Sequence, residues 1–226
     1  MSKNINQLLT EEIHDFDSLV SIMNILRSDY GCPWDKEQSH QSIRKCLIEE
    51  TYEVVDAIDN NDESALREEL GDLLFQIMFH SKIEDETGHF SIDDVIQDIC
   101  CKMINRHPHV FDYNVDKSSD SVQLSWDDIK IKEKKLKSVV DSMYNIPNHL
   151  PSLIKAQKVH SKARSRLGIG FKNKIEAIDF AKKHADVSFV DSIFALAAAA
   201  EFDGIDMEME LNKYVMNFIK YSDNEI

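Results

Sequence analysis

An all-α fold is predicted by three features of this chain. Apolar residues recur at helical spacing almost throughout, and short polar turns separate the periodic stretches. Glycine and proline are also scarce, at six and four in 226 residues, which disfavours an all-β design with many tight turns. A hydrophobic fraction of 42% is enough to build a core, and the length suits one large domain or two small ones.

The remaining composition excludes several function classes. A net charge of −15 argues against a nucleic-acid backbone as partner, because that backbone demands a basic surface. A polyphosphate remains compatible if cations stand between it and the protein. No apolar run reaches membrane-spanning length, and MSKNINQLLTEE lacks the apolar core of a signal peptide. Cysteines 32, 46, 100 and 101 form no CxxC pair, so reduced thiols and a cytoplasmic location are expected.

Residues 10–29 predict a first helix with Phe16, Leu19, Val20, Met23 and Leu26 on one side. Gly31 and Pro33 stop it in the loop DYGCPWDKEQSH. A second helix is predicted from about 41 to 58, ending in the polar turn DNNDES, and a third over 63–84, closed near Gly88. Ser91 followed by Asp94 reads as a capping box that opens a fourth helix, which stops before Pro108. Four helices joined by short turns make a helical bundle. DYNVDKSSDSVQ then reads as a polar loop, SWDDIKIKEKKLK as a charged helix, and NIPNHLPSL as a boundary. Residues 152–220 are helical again, and DSIFALAAAAEFD at 191–203 echoes DLLFQIMFHSKIE at 72–84 as a second, smaller bundle-like repeat.

Chemistry concentrates in the second and third helices. Glu50 and Glu53 border the apolar stripe, whereas Glu49 and Asp56 point further out. In the third helix Glu69, Asp72, Gln76 and His80 share one face of an otherwise apolar segment. Either carboxylate pair alone is more often a solvated face than a site. On consecutive antiparallel helices, though, the four would repel strongly unless protonated or bound to cations. Hard divalent ions with oxygen ligands answer that, and two would neutralise the set. Gln76 and His80 read as hydrogen-bonded groups behind this face. Lys102 and Arg106, one turn apart on the fourth helix, could hold an anion or simply complement the helix dipole. Trp126 could pack on the bundle or stack on a base. Arg-His-Pro-His at 106–109 reads as a helix-ending loop rather than a metal site.

The stretches LRSDYGCPWDKEQSH, LIEETYEVVDAID, LREELGDLLFQIMFH, KMINRHPHVF and SWDDIKIKEK together resemble the MazG family of nucleoside triphosphate pyrophosphohydrolases. Its EExxE and ExxD elements match Glu49-Glu50-x-x-Glu53 and Glu69-x-x-Asp72. The resemblance implies a dimeric all-α bundle that binds Mg²⁺, with Mn²⁺ as a substitute, through Glu50, Glu53, Glu69 and Asp72. It further implies attack of water at the α-phosphorus of a nucleoside triphosphate, giving the monophosphate and pyrophosphate. Lys102 and Arg106 match a phosphate-binding K-x-x-x-R, and Trp126 a tryptophan near the nucleotide. Glu49 or Glu53 could accept the water's proton.

The resulting expectation assigns 1–115 to a helical domain with the metal site and 116–150 to a loop and charged linker. Residues 151–226 form a degenerate second copy, in which Ser188 replaces Glu69 and only Glu176, Asp179 and Asp191 remain of the acidic set. The rival expectation is a nucleotide-sensing or partner-binding helical protein that has lost turnover.

Overall fold

A computed structural model describes residues 3–111 and 139–223. The polar stretch 112–123, the charged segment 125–137 and Trp126 lie outside them. The described residues are all-α, with no strand among them. The chain divides into two compact units, 1–115 and 116–226.

The first unit comprises α1 (Ile5–Thr10), α2 (Phe16–Leu26), α3 (Pro33–Glu37), α4 (His40–Asn60), α5 (Glu63–Glu86), α6 (Ile92–Arg106) and α7 (Pro108–Phe111). Side chains define most of the starts. Ser39 caps α4, Asp62 caps α5 by accepting from Ser64 N and Ala65 N, and Ser91 with Asp94 forms the capping box of α6. Asn61, at φ 53°, ends α4 in the left-handed conformation and turns the chain into α5.

The helix expected over 10–29 is α2, shorter at both ends, and it starts only at Phe16. Asp15 accepts from Ser18 N and opens α2 at Phe16, and Lys3 Nζ ties Asp15 to Glu11 just ahead of it. Local capping outcompetes the apolar periodicity there.

The α4/α5 hairpin dominates the unit, and α2 and α6 pack against α5. Met23, Ile43, Met78 and Phe79 form the core, bordered by Leu19, Val20, Phe75, Ile83 and Ile92. Only Ile43 and Ala57 of α4 are buried, so much of the hairpin's apolar surface, including Ile48, Tyr52, Leu70 and Ile77, stays exposed. Arg27, at the end of α2, is buried. Its guanidinium grips both oxygens of Glu86 at 2.9 and 2.7 Å and donates to the Asp35 and Gln38 carbonyls at 2.6 and 3.2 Å. It also lies 5.2 Å from the centre of the Phe79 ring. One side chain thereby fastens the 28–39 loop to α5. Gly31 is dictated by close approach: a Cβ there would fall 2.1 Å from the Ile25 carbonyl oxygen.

The second unit contains α8 (Val139–Tyr144), α9 (Ser152–Leu167), α10 (Lys174–His184), α11 (Phe189–Phe202) and α12 (Met207–Asp223). The two prolines of NIPNHLPSL sit inside this unit, where α8 packs on α9. Its hairpin is α10/α11, of 11 and 14 residues against 21 and 24 in α4/α5. Alanines 177, 181, 195 and 197–199 are buried and let these helices approach closely. Arg164 of α9 pairs with Glu201 of α11 at 3.0 Å and lies over Phe202, as Arg27 of α2 pairs with Glu86 of α5 and lies over Phe79. Both units thus tie a preceding helix to the second helix of a hairpin by the same device.

Candidate metal centre

The offsets 69, 72, 76 and 80 place four polar groups on one face of α5, and antiparallel pairing brings α4 across from it. One oxygen each from Glu50, Glu69 and Asp72 lie within 4.8 Å of one another. Glu53 lies beside Glu50 and Glu69, close enough to act on both carboxyls. Three of the four carboxylates expected to converge, Glu50, Glu69 and Asp72, come together within that distance, and Glu53 borders them. Among the described residues this is the one acidic or histidine cluster with metal-holding geometry.

The electrostatics are those of crowded like charges. Partial burial, then the hydrogen bond and negative charge of Glu53, then Asp72 and Glu69 push the Glu50 carboxyl above its ordinary range. Burial and then Glu53, Glu68 and Asp72 do the same to Glu69. Glu49 is outside the cluster and pairs with Lys45 at 2.7 Å, on the more exposed side of α4. An all-oxygen donor set of this size suits a hard divalent cation, and its self-repulsion is what such an ion would relieve.

Lys102 is exposed and Arg106 half-buried, one turn apart on α6, which packs against α5. Trp34, in the proline-started α3, is 61% exposed. His107 ends α6 with Nδ1 at 2.6 Å from the Met103 carbonyl, in keeping with the loop reading of Arg-His-Pro-His.

Sequence reasoning missed a histidine assembly at the far end of the hairpin. His40 Nε2 lies 2.6 Å from Glu84 Oε1, His89 Nδ1 lies 2.7 Å from Glu84 Oε2, and His40 Nδ1 lies 2.7 Å from His80 Nδ1. The antiparallel register was the available signal: if Glu50 faces Asp72, His40 falls near His80. Gln76 and His80, expected to be satisfied, each retain a buried atom without a partner among the described residues, Gln76 Oε1 and His80 Nε2.

A helical hairpin that gathers carboxylates on one face offers an all-oxygen donor set that a divalent cation could occupy. A family model described as the MazG nucleotide pyrophosphohydrolase domain matches residues 38–111. The chain is 36% identical over 220 residues to the nucleoside triphosphate pyrophosphohydrolase/pyrophosphatase MazG of Thermotoga maritima, covering 91% of this chain and 83% of that protein. It is 47% identical over 149 residues to uncharacterized protein YabN of Bacillus subtilis, covering 65% of this chain and 30% of that one. The chain thus spans less than a third of YabN's length. A crystal structure of a mazG-related protein from Thermotoga maritima is similar at 27% identity and a TM-score of 0.43, over 50% of this chain and 96% of that one. The chain belongs to the MazG family.

Proposed function

We propose that the chain is a Mg²⁺-dependent nucleoside triphosphate pyrophosphohydrolase, releasing pyrophosphate and the monophosphate. The observation that carries this reading is the meeting of Glu50, Glu53, Glu69 and Asp72 from two helices, with Glu50 and Glu69 destabilised as carboxylates. Family membership and the name of the Thermotoga relative support it. Those four residues would hold two Mg²⁺ ions, with Mn²⁺ as a substitute. Bound there, the cation supplies charge neutralisation for the triphosphate and acidifies water.

The chain's own groups do the rest. Lys102 and Arg106 bind the phosphates that leave as pyrophosphate, and the family resemblance assigns Trp126, outside the described residues, to the nucleoside. Glu53, inside the cluster, or Glu49, one turn away, takes the proton of the attacking water. The protein acts as a cytoplasmic homodimer that takes no nucleic acid, with the second unit serving as scaffold or dimer surface.

Residues 1–115 form the catalytic domain, 116–150 the loop and charged linker, and 151–226 a degenerate copy. Two observations support that degeneracy. Ser188, at the position of Glu69, is the N-cap of α11, so that helix begins where a ligand would be needed. Glu176 accepts from Lys172 N and follows the N-cap Asn173, so its carboxylate serves the start of α10.

Product analysis of a nucleoside triphosphate panel with Mg²⁺ tests the reaction: pyrophosphate is expected. Inorganic phosphate would mean attack at the γ end, and no product would favour the nucleotide-sensing alternative.

The cation has a separate signature in stability. Raised carboxyls hold protons in the folded state that the unfolded state has lost, so without cation these two groups favour folding as pH falls. Mg²⁺ replaces those protons. Its stabilisation should be greatest at neutral pH, about 3 kcal/mol at a hundredfold excess over Kd, and should shrink as pH falls towards the ordinary carboxylate range. Thermal melts with and without Mg²⁺ across that range check it; a Mg²⁺ effect independent of pH would contradict the site.

A further inference from the structure

The polar face of α5 continues beyond the carboxylates. Gln76, His80 and Glu84 follow Asp72 at intervals of four, each one turn further along. At the helical rise, Gln76 lies about 6 Å and His80 about 12 Å along the axis from Asp72. A nucleoside whose α-phosphate sat at the carboxylates would span that distance if it extended along this face.

Both residues carry an unmet demand. Gln76 Oε1 and His80 Nε2 are shielded from solvent and receive no hydrogen bond from the described residues. Leaving a buried polar atom so forfeits its hydration without return. The proton positions identify what each lacks. Glu84, whose carboxyl is pushed down by hydrogen bonds from His89 and His40, is ionised and can only accept, so His40 carries its proton on Nε2. The two Nδ1 atoms lie 2.7 Å apart, so one ring donates to the other, and the proposed tautomer has His80 donating from its own Nδ1 to His40. Burial and the neighbouring His40 lower the His80 pKa and keep its ring neutral, leaving Nε2 as a bare lone pair. Gln76 Oε1 and His80 Nε2 are thus two acceptors one turn apart, both lacking donors.

The second unit supplies a contrast. By the alignment of 72–84 with 191–203, Gln76 corresponds to Ala195 and His80 to Ala199, both buried. Where the ligand set has decayed, these two acceptors are gone as well.

We propose that Gln76 and His80 form the nucleoside-reading end of the site, accepting hydrogen bonds from donor groups of the nucleoside, either a base amino group or a ribose hydroxyl. This rests on the nucleoside triphosphate reading above. His40 and Glu84 are positioning residues that hold the His80 tautomer.

Binding of α,β-methylene analogues in Mg²⁺ tests it without turnover. The wild type should bind the analogue bearing the donor roughly tenfold more tightly than the one lacking it. CTP against UTP reads the base amino group; ATP against its 2′-deoxy and 3′-deoxy forms reads the ribose. His80→Phe and Gln76→Leu should weaken the donor-bearing analogue about tenfold and spare the other, erasing the ratio, while His80→Gln, which keeps an acceptor, should retain most of it. Glu84→Gln should shrink the ratio without altering the Mg²⁺ requirement. Variants that weaken every analogue equally, or none, overturn the proposal, as does a wild type that binds no analogue. Discriminating binding without pyrophosphate release would overturn the proposed reaction and leave this assignment standing.

Discussion

Glu69→Gln should lower turnover roughly a thousandfold, about 4 kcal/mol of transition-state stabilisation, while making the cation-free protein more stable. The two effects share one cause. Glu69 is crowded by Glu53, Glu68 and Asp72 and partly withdrawn from water, so its charge opposes folding. An amide of the same shape removes the repulsion and with it a cation ligand. A residue of purely structural value would show the reverse, with activity falling because stability falls. Asp72→Asn should likewise abolish turnover. Asp191→Asn, at the equivalent place in the shorter hairpin, should do little, because Asp191 is an exposed residue of the first turn of α11. Turnover and melting temperature measured on these three variants decide the matter. Retained activity in both Glu69→Gln and Asp72→Asn would remove the ligand assignment, and an Asp191→Asn loss matching Asp72→Asn would remove the degenerate-copy claim.

The largest effect on stability is expected at Arg27. Its side chain is 4% exposed and satisfies four acceptors: both oxygens of Glu86 and the carbonyls of Asp35 and Gln38. Arg27→Met would fill most of the volume and keep contact with Phe79 but leave all four acceptors unpaired. Glu86 is 34% exposed and regains some hydration, which places the loss at about 3 kcal/mol rather than at the upper end for a buried ion pair. The two units give no assurance of a single unfolding transition, so amide exchange is the better probe. Exchange in α2 and α4 should accelerate about a hundredfold, with α9 to α11 unaffected. A Glu86→Gln cycle would isolate the pair's coupling. Because the same side chain fastens the loop that carries Trp34 and leads into His40, its loss should also weaken nucleotide binding.

Much of this was legible in the sequence, for identifiable reasons. The third helix is readable because its polar positions recur at three and four within an apolar run, a pattern that only a helix turns into one face. The convergence of Glu50 and Glu53 with that face followed from the short DNNDES turn, which forces α4 and α5 to be antiparallel neighbours. The late start of α2 at Phe16 was not legible from periodicity, because the Asp15–Ser18 capping box and the long-range grip of Lys3 decide it. The His40–His80 contact was hidden because it joins residues 40 apart, and register rather than pattern sets it. Spacing did separate the adjacent Glu49 and Glu50, because only Glu50 borders the apolar stripe of α4, and Glu49 accordingly pairs with Lys45 on the exposed side.

The central claim is that the first hairpin directs water to the α-phosphorus of a nucleoside triphosphate. Turnover in heavy-oxygen water with Mg²⁺, followed by mass analysis of both products, tests it most directly. The account predicts that the label appears in the nucleoside monophosphate and that pyrophosphate is released unlabelled. Label in pyrophosphate, or in inorganic phosphate, would contradict it.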